Sequence, residues 1–182
     1  MAAPLPYPDP PLADADFVLR PYREDDVAAD TAATEDPASV RWINSQTSGE
    51  AAEDIRIAEA ERVAGDKLIL TIADRADDRY LGAIVLIARG AETAELAYLV
   101  APDARGRGLA QRAVRLVSDW AFARLGLERL QLRIAPENEA SHAVARRAGF
   151  VREGVLRSAF AVRGQRHDVV SYSRLPSDPV DG

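Results

Sequence analysis

Between residues 95 and 126 the spacing of apolar residues changes from every second residue, as in a strand, to the spacing of about 3.6 residues of a helix. This change restricts the folds that the chain can adopt. Leu96, Tyr98 and Val100 alternate with the residues between them, which predicts a β-strand. After a loop with two glycines, an apolar stripe recurs at helical spacing and stops near Gly126, which predicts an amphipathic helix. The stripe consists of Leu109, Ala113, Leu116, Val117, Trp120 and Ala121. This order places a helix N-terminus beside a strand end.

The other segments predict an α/β chain whose first half forms a mainly antiparallel sheet. Further strands are predicted at 17–19, 68–72, 80–87, 130–134, 150–155 and 167–172, and further helices at 25–33, 51–64 and 138–149. We assign residues 16–175 to one domain. The proline-rich residues 1–15 are expected to form a flexible N-terminal arm, and residues 176–182 a tail.

Composition argues against several classes of protein. The chain has 182 residues, no cysteine and a net charge of −6. Phosphate binding needs clustered positive charge, so a nucleic-acid partner is not expected, whereas cationic partners such as amines are favoured. The sequence has neither an apolar run of about 20 residues nor the regions of a signal peptide, so we expect no membrane partner. Because it also has no cysteine, a cytoplasmic location is the default expectation. His142 and His167 lack metal-ligand spacing and are interpreted as surface residues, so no metal is expected.

The loop between the predicted strand and helix carries the pattern R-x-x-G-x-A at Arg105, Gly108 and Ala110. A helix N-terminus has unpaired N–H groups and a partial positive charge, so it binds anions such as a pyrophosphate. Gly106 and Gly108 let the backbone approach phosphate oxygens. Arg105 and Arg107 can add charge-assisted hydrogen bonds. The bare pattern is equally compatible with a glycine-rich turn whose arginines are solvated.

Two other phosphate-binding loops fit less well. A Walker A loop requires a lysine after its last glycine, and this loop contains none. The dinucleotide-binding pattern G-x-G-x-x-G would require a glycine at Gln111. That pattern also opens a β-α-β unit, whereas the loop here follows a predicted antiparallel meander. Neither alternative therefore accounts for the loop.

Four segments, in this order, resemble the GNAT acetyltransferase superfamily, and within it the RimJ/RimL-like branch of ribosomal-protein N-acetyltransferases. They are AELAYLVAP (94–102), RGRGLA (105–110), PENEAS (136–141) and AGFVREG (148–154). Together they cover about residues 94–156, and the order of predicted elements extends the likeness to nearly the whole chain. The resemblance implies a GNAT fold, which is a mixed, mostly antiparallel sheet of about seven strands with four main helices and splayed central strands.

In this family acetyl-CoA lies between the two splayed strands, which correspond here to the segments 95–100 and 130–135. The resemblance implies that backbone amides of the loop hold the pyrophosphate. It also implies that the first strand offers backbone groups to the pantetheine arm and the acetyl carbonyl. The implied cofactor-binding residues are Leu99, Val100, Arg105, Gly106, Arg107, Gly108, Leu109, Ala110, Asn138 and Ser141. Acetyl-CoA is therefore the expected co-substrate.

Asn138 and Ser141 match the N-x-x-S variant of this branch, in which the Asn amide contacts the pantetheine and the serine hydroxyl lies near the cofactor sulfur. Asn138 also fits a simple helix N-cap, and Ser141 an ordinary exposed serine. Many family members place a tyrosine on this helix as a proton donor to the departing thiolate. The aligned residue here is Ala145. We therefore expect Ser141, or water, to act in place of that tyrosine.

Acetyl transfer also needs a base, because only a neutral amine attacks the thioester, and a donor for the oxyanion, expected to be a backbone N–H near Val100. Glu95 is the expected base, since the branch often has a glutamate at this place. It also fits a solvent-facing strand residue, and acidic residues of the first helices compete with it. Trp42 is the candidate for one wall of the acceptor groove, and otherwise packs on the core.

These interpretations lead to an N-acetyltransferase that acts on a protein N-terminus or a small amine, as a monomer or a homodimer. The alternative is a non-catalytic module that binds and senses acetyl-CoA, which the alanine at position 145 keeps open. A third alternative is an unrelated nucleotide-binding enzyme, which would bind ATP or NAD and not CoA.

Overall fold

A computed structural model of the chain describes residues 3–40, 42, 50–162 and 164–179. Within these residues there are eight strands: β1 (Leu12–Ala13), β2 (Phe17–Pro21), β3 (Lys67–Asp74), β4 (Tyr80–Ala88), β5 (Thr93–Val100), β6 (Arg129–Ile134), β7 (Val151–Val162) and β8 (Gln165–Arg174). The same residues include four α-helices: α1 (Val27–Glu35), α2 (Ala51–Ala64), α3 (Leu109–Leu125) and α4 (Glu139–Arg147).

The strands form one sheet in the order β1-β2-β3-β4-β5-β6-β8-β7. Neighbouring strands are antiparallel except β5 and β6, which are parallel because α3 carries the chain back along the sheet between them. This confirms the predicted fold class, a mixed and mostly antiparallel sheet with four main helices. The sequence predicted about seven strands, and the eighth is β1, whose two residues are too few to show a periodicity.

The central strands β5 and β6 separate soon after they meet. They pair only over Thr93–Glu95, opposite Arg129–Gln131. β5 stays paired with β4 up to the Val100–Gly82 pair, and β6 stays paired with β8 along its length. Because each strand follows its other neighbour, a gap opens between them beyond Glu95. The predicted splay of the central strands is thus present, and it faces the carboxyl end of β5.

Helix α3 packs beside this gap and closes the core over β4 and β5. Its inward face is buried, with Ala113, Val117 and Ala121 each at most 1% exposed. Trp120 is 9% exposed and belongs to the same core, as the apolar stripe predicts. Burial of apolar area at about 25 cal/mol per Å² therefore fixes the helix against the sheet. In the described ranges, no helix is both long and apolar enough to cross a membrane.

The described part of the N-terminal arm is bound to the domain, which does not fit the expectation that residues 1–15 are flexible. β1 pairs with β2 and so belongs to the sheet. Leu5 exchanges backbone and side-chain hydrogen bonds with Arg62 on α2, at 3.0 and 2.6 Å. Tyr7 donates to Glu59 and lies under the Arg62 guanidinium. The prolines suggested a loose segment, but apolar side chains between them pack on the core.

On α1, Asp30 accepts hydrogen bonds from the hydroxyl groups of Tyr80 and Tyr22. Burial raises the pKa of Asp30 above its ordinary value, and the two hydrogen bonds oppose part of that rise. The neighbouring carboxylates of Asp26 and Asp54 raise the pKa of Asp30 further. The folded chain therefore holds the proton of the Asp30 carboxyl group more tightly than the unfolded chain does.

Replacing Asp30 with asparagine should flatten the dependence of stability on pH. A raised pKa means that the native state loses stability relative to the unfolded state as the pH rises above about 4, the ordinary value for Asp. The asparagine side chain cannot ionise and does not suffer this loss. The melting temperature of Asp30→Asn relative to that of the wild type should therefore increase as the pH rises above about 4. Thermal unfolding of both proteins across a pH series measures this. Parallel curves would contradict it.

Candidate functional site

A cavity of about 650 Å³ lies where β5 and β6 diverge. Its walls come from the end of β5, the loop that leads into α3, the first turns of α4, and the segment after α1. Of the residues predicted to bind the cofactor or acceptor, it brings together Trp42, Leu99, Val100, Arg105, Gly106, Gly108, Leu109, Ala110, Asn138 and Ser141. Arg107 and Glu95 are not part of its lining. The predicted site is therefore assembled at one place, with two exceptions.

The glycine loop forms one end of the cavity. Gly106 and Gly108 have φ angles of +79° and +71°, in the left-handed region that favours glycine. Gly108 is the N-cap of α3 and offers no capping side chain, so the amides of the first turn are not satisfied by their own cap. Leu109 and Ala110 in that turn line the cavity. A helix N-terminus of this kind is suited to an anionic group such as a pyrophosphate.

The Arg105 side chain is engaged within the protein. Its guanidinium donates to the Val100 carbonyl at 3.2 Å, and to the Asp36 carboxylate and the Ser39 hydroxyl at 2.8 Å each. The hydrogen bond from Arg105 lowers the pKa of Asp36 below its usual range. Arg105 therefore joins the glycine loop to the segment that follows α1. The sequence predicted its position at the cavity but not these partners.

Arg107 lies outside the cavity, with an exposed side chain. It borders a smaller surface depression together with Asp16, Asp74 and Arg75. Its carbonyl accepts a hydrogen bond from the Arg112 side chain at 3.3 Å. The Arg107 guanidinium, which was predicted to bind a phosphate, is thus not part of the cavity, and Arg107 contributes only its backbone to the loop.

At the other end of the cavity, Asn138 and Ser141 begin helix α4. The Asn138 side-chain oxygen accepts a hydrogen bond from the Ser141 amide at 3.1 Å, so Asn138 is an N-cap. Since the cap uses only this oxygen, the NH₂ group of the same side chain remains a donor for another partner. Ser141 lines the cavity. Ala145, one turn further on, is fully buried.

Tyr98 was not predicted as a site residue, yet it lines the cavity. Burial raises the pKa of the Tyr98 hydroxyl to about 12, and the neighbouring Ser141 hydroxyl counteracts part of that rise. The signal was present in the sequence, because Tyr98 continues the alternation of Leu96 and Val100. It was interpreted only as part of an apolar strand face.

His142 was interpreted as a surface residue, and this was wrong. Its ring is 6% exposed, with Nε2 at 3.1 Å from the Pro136 carbonyl and Nδ1 at 3.1 Å from the Tyr172 hydroxyl. A carbonyl only accepts, so Nε2 carries a proton and donates to it. His142 thus ties the start of α4 to the preceding turn and to β8. His167 is exposed, as expected.

Glu95 is the last residue of β5 that pairs with β6. Its side chain is only 13% exposed, and its Oε2 atom lies 3.0 Å from Nε of Arg89 and 3.6 Å from Nε of Arg133. The carboxylate thus sits between two guanidinium groups at the closed end of the gap. The geometry does not bring it to the cavity surface.

Trp42 is partly buried and lines the cavity in the turn that follows Ser39. Its amide donates to the Ser39 carbonyl at 2.8 Å. Because Ser39 also binds Arg105, this turn and the glycine loop are connected. In the described residues, no group of three His, Cys, Asp or Glu side chains is placed to hold a metal ion.

Comparison with known proteins gives a family match over most of the chain. Residues 16–151 match the family model described as acetyltransferase (GNAT) domain. Among solved structures, the fold is similar to that of Mycobacterium smegmatis RimJ in complex with CoA-disulfide, with a TM-score of 0.77 and 24% identity. That match covers 94% of this chain and 90% of the other.

Two curated relatives match over shorter stretches. The putative ribosomal N-acetyltransferase YdaF of Bacillus subtilis is 40% identical over 82 residues, which are 45% of each chain. The spermidine N(1)-acetyltransferase of Escherichia coli K12 is 36% identical over 77 residues, which are 42% of this chain and 41% of the relative. The chain thus spans less than half the length of either relative.

Proposed function

This chain belongs to the GNAT acetyltransferase family, and we propose that it transfers an acetyl group from acetyl-CoA to an amine. The observation that carries the proposal is the cavity between the diverging strands, with a glycine-capped helix N-terminus at one end and the start of α4 at the other. The first end suits the pyrophosphate of the co-substrate, and the second its sulfur. A cytoplasmic location fits this activity.

We assign the pyrophosphate to the backbone amides of the loop from Gly106 to Ala110, with the Gly106 and Gly108 conformations allowing close approach. The pantetheine arm would run along β5 beyond Glu95, where the described strands β5 and β6 have no further pairing. Backbone groups of Leu99 and Val100, which line the cavity there, would serve as its donors and acceptors. The Asn138 NH₂ group is a further donor to the pantetheine.

For the chemistry, a backbone N–H near Val100 would stabilise the oxyanion, and the Ser141 hydroxyl would donate a hydrogen bond to the departing sulfur. We propose Glu95 as the base, acting through water because its carboxylate does not reach the cavity. The amine nitrogen forms the new C–N bond and gives its proton to this base. The C–S bond breaks with its electron pair on sulfur, which then takes a proton from solvent.

Replacing Glu95 with glutamine should lower kcat by roughly 100-fold or more. The glutamine keeps the shape of the side chain but cannot accept a proton at working pH. The same replacement at Glu92, an exposed glutamate three residues earlier, is the matched control and should leave kcat unchanged. If Glu95→Gln keeps both the turnover and the pH profile of the wild type, the base is another group.

The acceptor is proposed only as a class. The named relatives include a putative ribosomal N-acetyltransferase and a spermidine acetyltransferase, so both a protein N-terminus and a small polyamine are candidates. The net charge of −6 favours cationic acceptors over nucleic acid. Trp42 and the segment after α1 would form the wall on the acceptor side. A monomer and a homodimer both fit this assignment.

Calorimetry with acetyl-CoA, followed by CoA-thiol release with spermidine and with N-terminal peptides, tests the proposal. We expect acetyl-CoA binding and turnover with one of the two acceptor classes. Binding without turnover on either would favour the second candidate function, an acetyl-CoA sensor. That candidate is supported by Ala145, a small buried side chain where many family members have tyrosine. Failure to bind acetyl-CoA would exclude both.

A further inference from the structure

The Tyr98 hydroxyl is a buried polar group in the wall of the cavity. Its oxygen has almost no exposed surface and no hydrogen-bond partner among the described residues. An unpaired buried hydroxyl costs free energy, so its persistence calls for a partner that forms when the site is used. Ser141, which comes from α4 on the other side of the gap, lines the same cavity, and its hydroxyl is near enough to influence that of Tyr98.

The backbone of Ser141 is fixed, whereas its hydroxyl can rotate. Its amide is held by the Asn138 cap, and the next residue, His142, is anchored to Pro136 and Tyr172. The Ser141 hydroxyl can rotate about its Cα–Cβ bond and turn its proton either toward Tyr98 or into the cavity. Only the second orientation presents a donor to a group inside the cavity.

We propose that Tyr98 is a positioning residue for Ser141: its hydroxyl donates to the Ser141 oxygen, so that the Ser141 proton points into the cavity at the sulfur of the co-substrate. This inference rests on the proposed acetyl transfer. With its own oxygen accepting from Tyr98, Ser141 stays a donor toward the sulfur. Tyr98 and Ser141 together would thereby supply the hydrogen bond to sulfur that Ala145, which is buried and has no hydroxyl, cannot supply.

Tyr98 is suited to donate and not to titrate. With a pKa of about 12, its hydroxyl keeps its proton over the whole range in which an amine is acetylated. A thiolate, whose thiol has a pKa of about 8.5, is too weak a base to remove that proton. The pair therefore stabilises the negative charge on sulfur through two linked hydrogen bonds, and each hydroxyl keeps its proton.

The test compares Tyr98→Phe, Ser141→Ala and the double variant with the wild type. In the complex with CoA, the ultraviolet absorbance of the thiolate gives the pKa of the bound thiol without any acceptor. Tyr98→Phe and Ser141→Ala should both raise that pKa, because a donor to the thiolate is weakened or lost. In an assay with an amine that the wild type acetylates, Tyr98→Phe should lower kcat by about three- to tenfold and leave KM for acetyl-CoA unchanged.

The double variant decides whether Tyr98 acts through Ser141. We expect it to be no slower than Ser141→Ala alone, since without the serine hydroxyl Tyr98 has nothing to orient. In a Ser141→Thr background, which keeps a hydroxyl, Tyr98→Phe should again lower kcat. Tyr7→Phe, which removes a tyrosine hydroxyl bound to Glu59 outside the cavity, is the control and should change neither quantity.

Two results would overturn the inference. One is a Tyr98→Phe enzyme with the thiol pKa and kcat of the wild type. The other is an additive loss in the double variant, which would mean that Tyr98 acts independently of Ser141. Failure of the proposed function is a separate result and would appear first: the wild type itself would neither bind CoA nor acetylate any amine.

Discussion

The Gly106→Ala variant should fold but bind acetyl-CoA on the order of ten- to a hundredfold more weakly than the wild type. Gly106 has a φ of +79°, and a Cβ there would meet no protein atom within 4 Å. Within the protein, the substitution therefore costs only the strain of a left-handed alanine, about 1–2 kcal/mol. The residue lines the cavity, however, so the methyl group would occupy the place proposed for a phosphate oxygen.

Gly126→Ala separates these two effects. Gly126 ends helix α3 with a φ of +65°, and a Cβ there also meets no atom within 4 Å, but it is not part of the cavity lining. Both variants should lose similar stability in thermal unfolding, since the strain is the same. Only Gly106→Ala should lose affinity in calorimetry with acetyl-CoA. Equal affinities of the two variants would show that the loop does not approach the phosphates, and would remove the main support for the proposed cofactor position.

The fold could be predicted because its signals are local. A change from period two to period 3.6 marks each strand and helix within a few residues, and Gly126 and Gly149 mark helix ends with φ angles of +65° and +83°. The glycine loop could be predicted for the same reason, since positive φ angles and an uncapped helix N-terminus are properties of a short segment. The N-cap at Asn138 is also local, because its bond reaches only to Ser141.

The parts that the sequence did not reveal depend on contacts between distant residues. Arg105 binds Asp36 and Ser39, which precede it by 69 and 66 residues. His142 is buried because Tyr172, 30 residues later, is opposite it. Such contacts follow from how the sheet and helices pack, and no periodicity encodes them. The same holds for Glu95, whose place between Arg89 and Arg133 depends on the pairing of β5 with β6.

A glycine outside the recognised loop is predicted to matter as much as those inside it. Gly82 on β4 pairs with Val100 at the end of β5. A Cβ at Gly82 would lie 2.3 Å from the Leu99 carbonyl oxygen and 3.1 Å from the Val100 Cα atom. Both are backbone atoms, so no side-chain rotation can relieve the contact, and the end of β5 must move. No sequence pattern distinguishes Gly82, because the close approach exists only once the two strands are paired.

Gly82→Ala should therefore destabilise the fold by about 1–3 kcal/mol and also weaken acetyl-CoA binding by about tenfold or more. The displaced segment carries Leu99 and Val100, whose backbone groups line the cavity and are proposed to hold the pantetheine and acetyl carbonyl. Thermal unfolding with and without acetyl-CoA reads both effects, since a ligand that binds the native state raises the melting temperature more when its affinity is higher.

The matched control for Gly82 is Gly154→Ala. Gly154 is also a strand glycine, on β7, and a Cβ there would meet no atom within 4 Å. This variant should keep the stability of the wild type and the full rise in melting temperature on addition of acetyl-CoA. A loss of stability in Gly82→Ala together with a full ligand-induced rise would show that the end of β5 supports the fold but not the co-substrate. Because Gly106→Ala tests the other end of the cavity, the two pairs of variants would then locate the co-substrate by which of them weakens its binding.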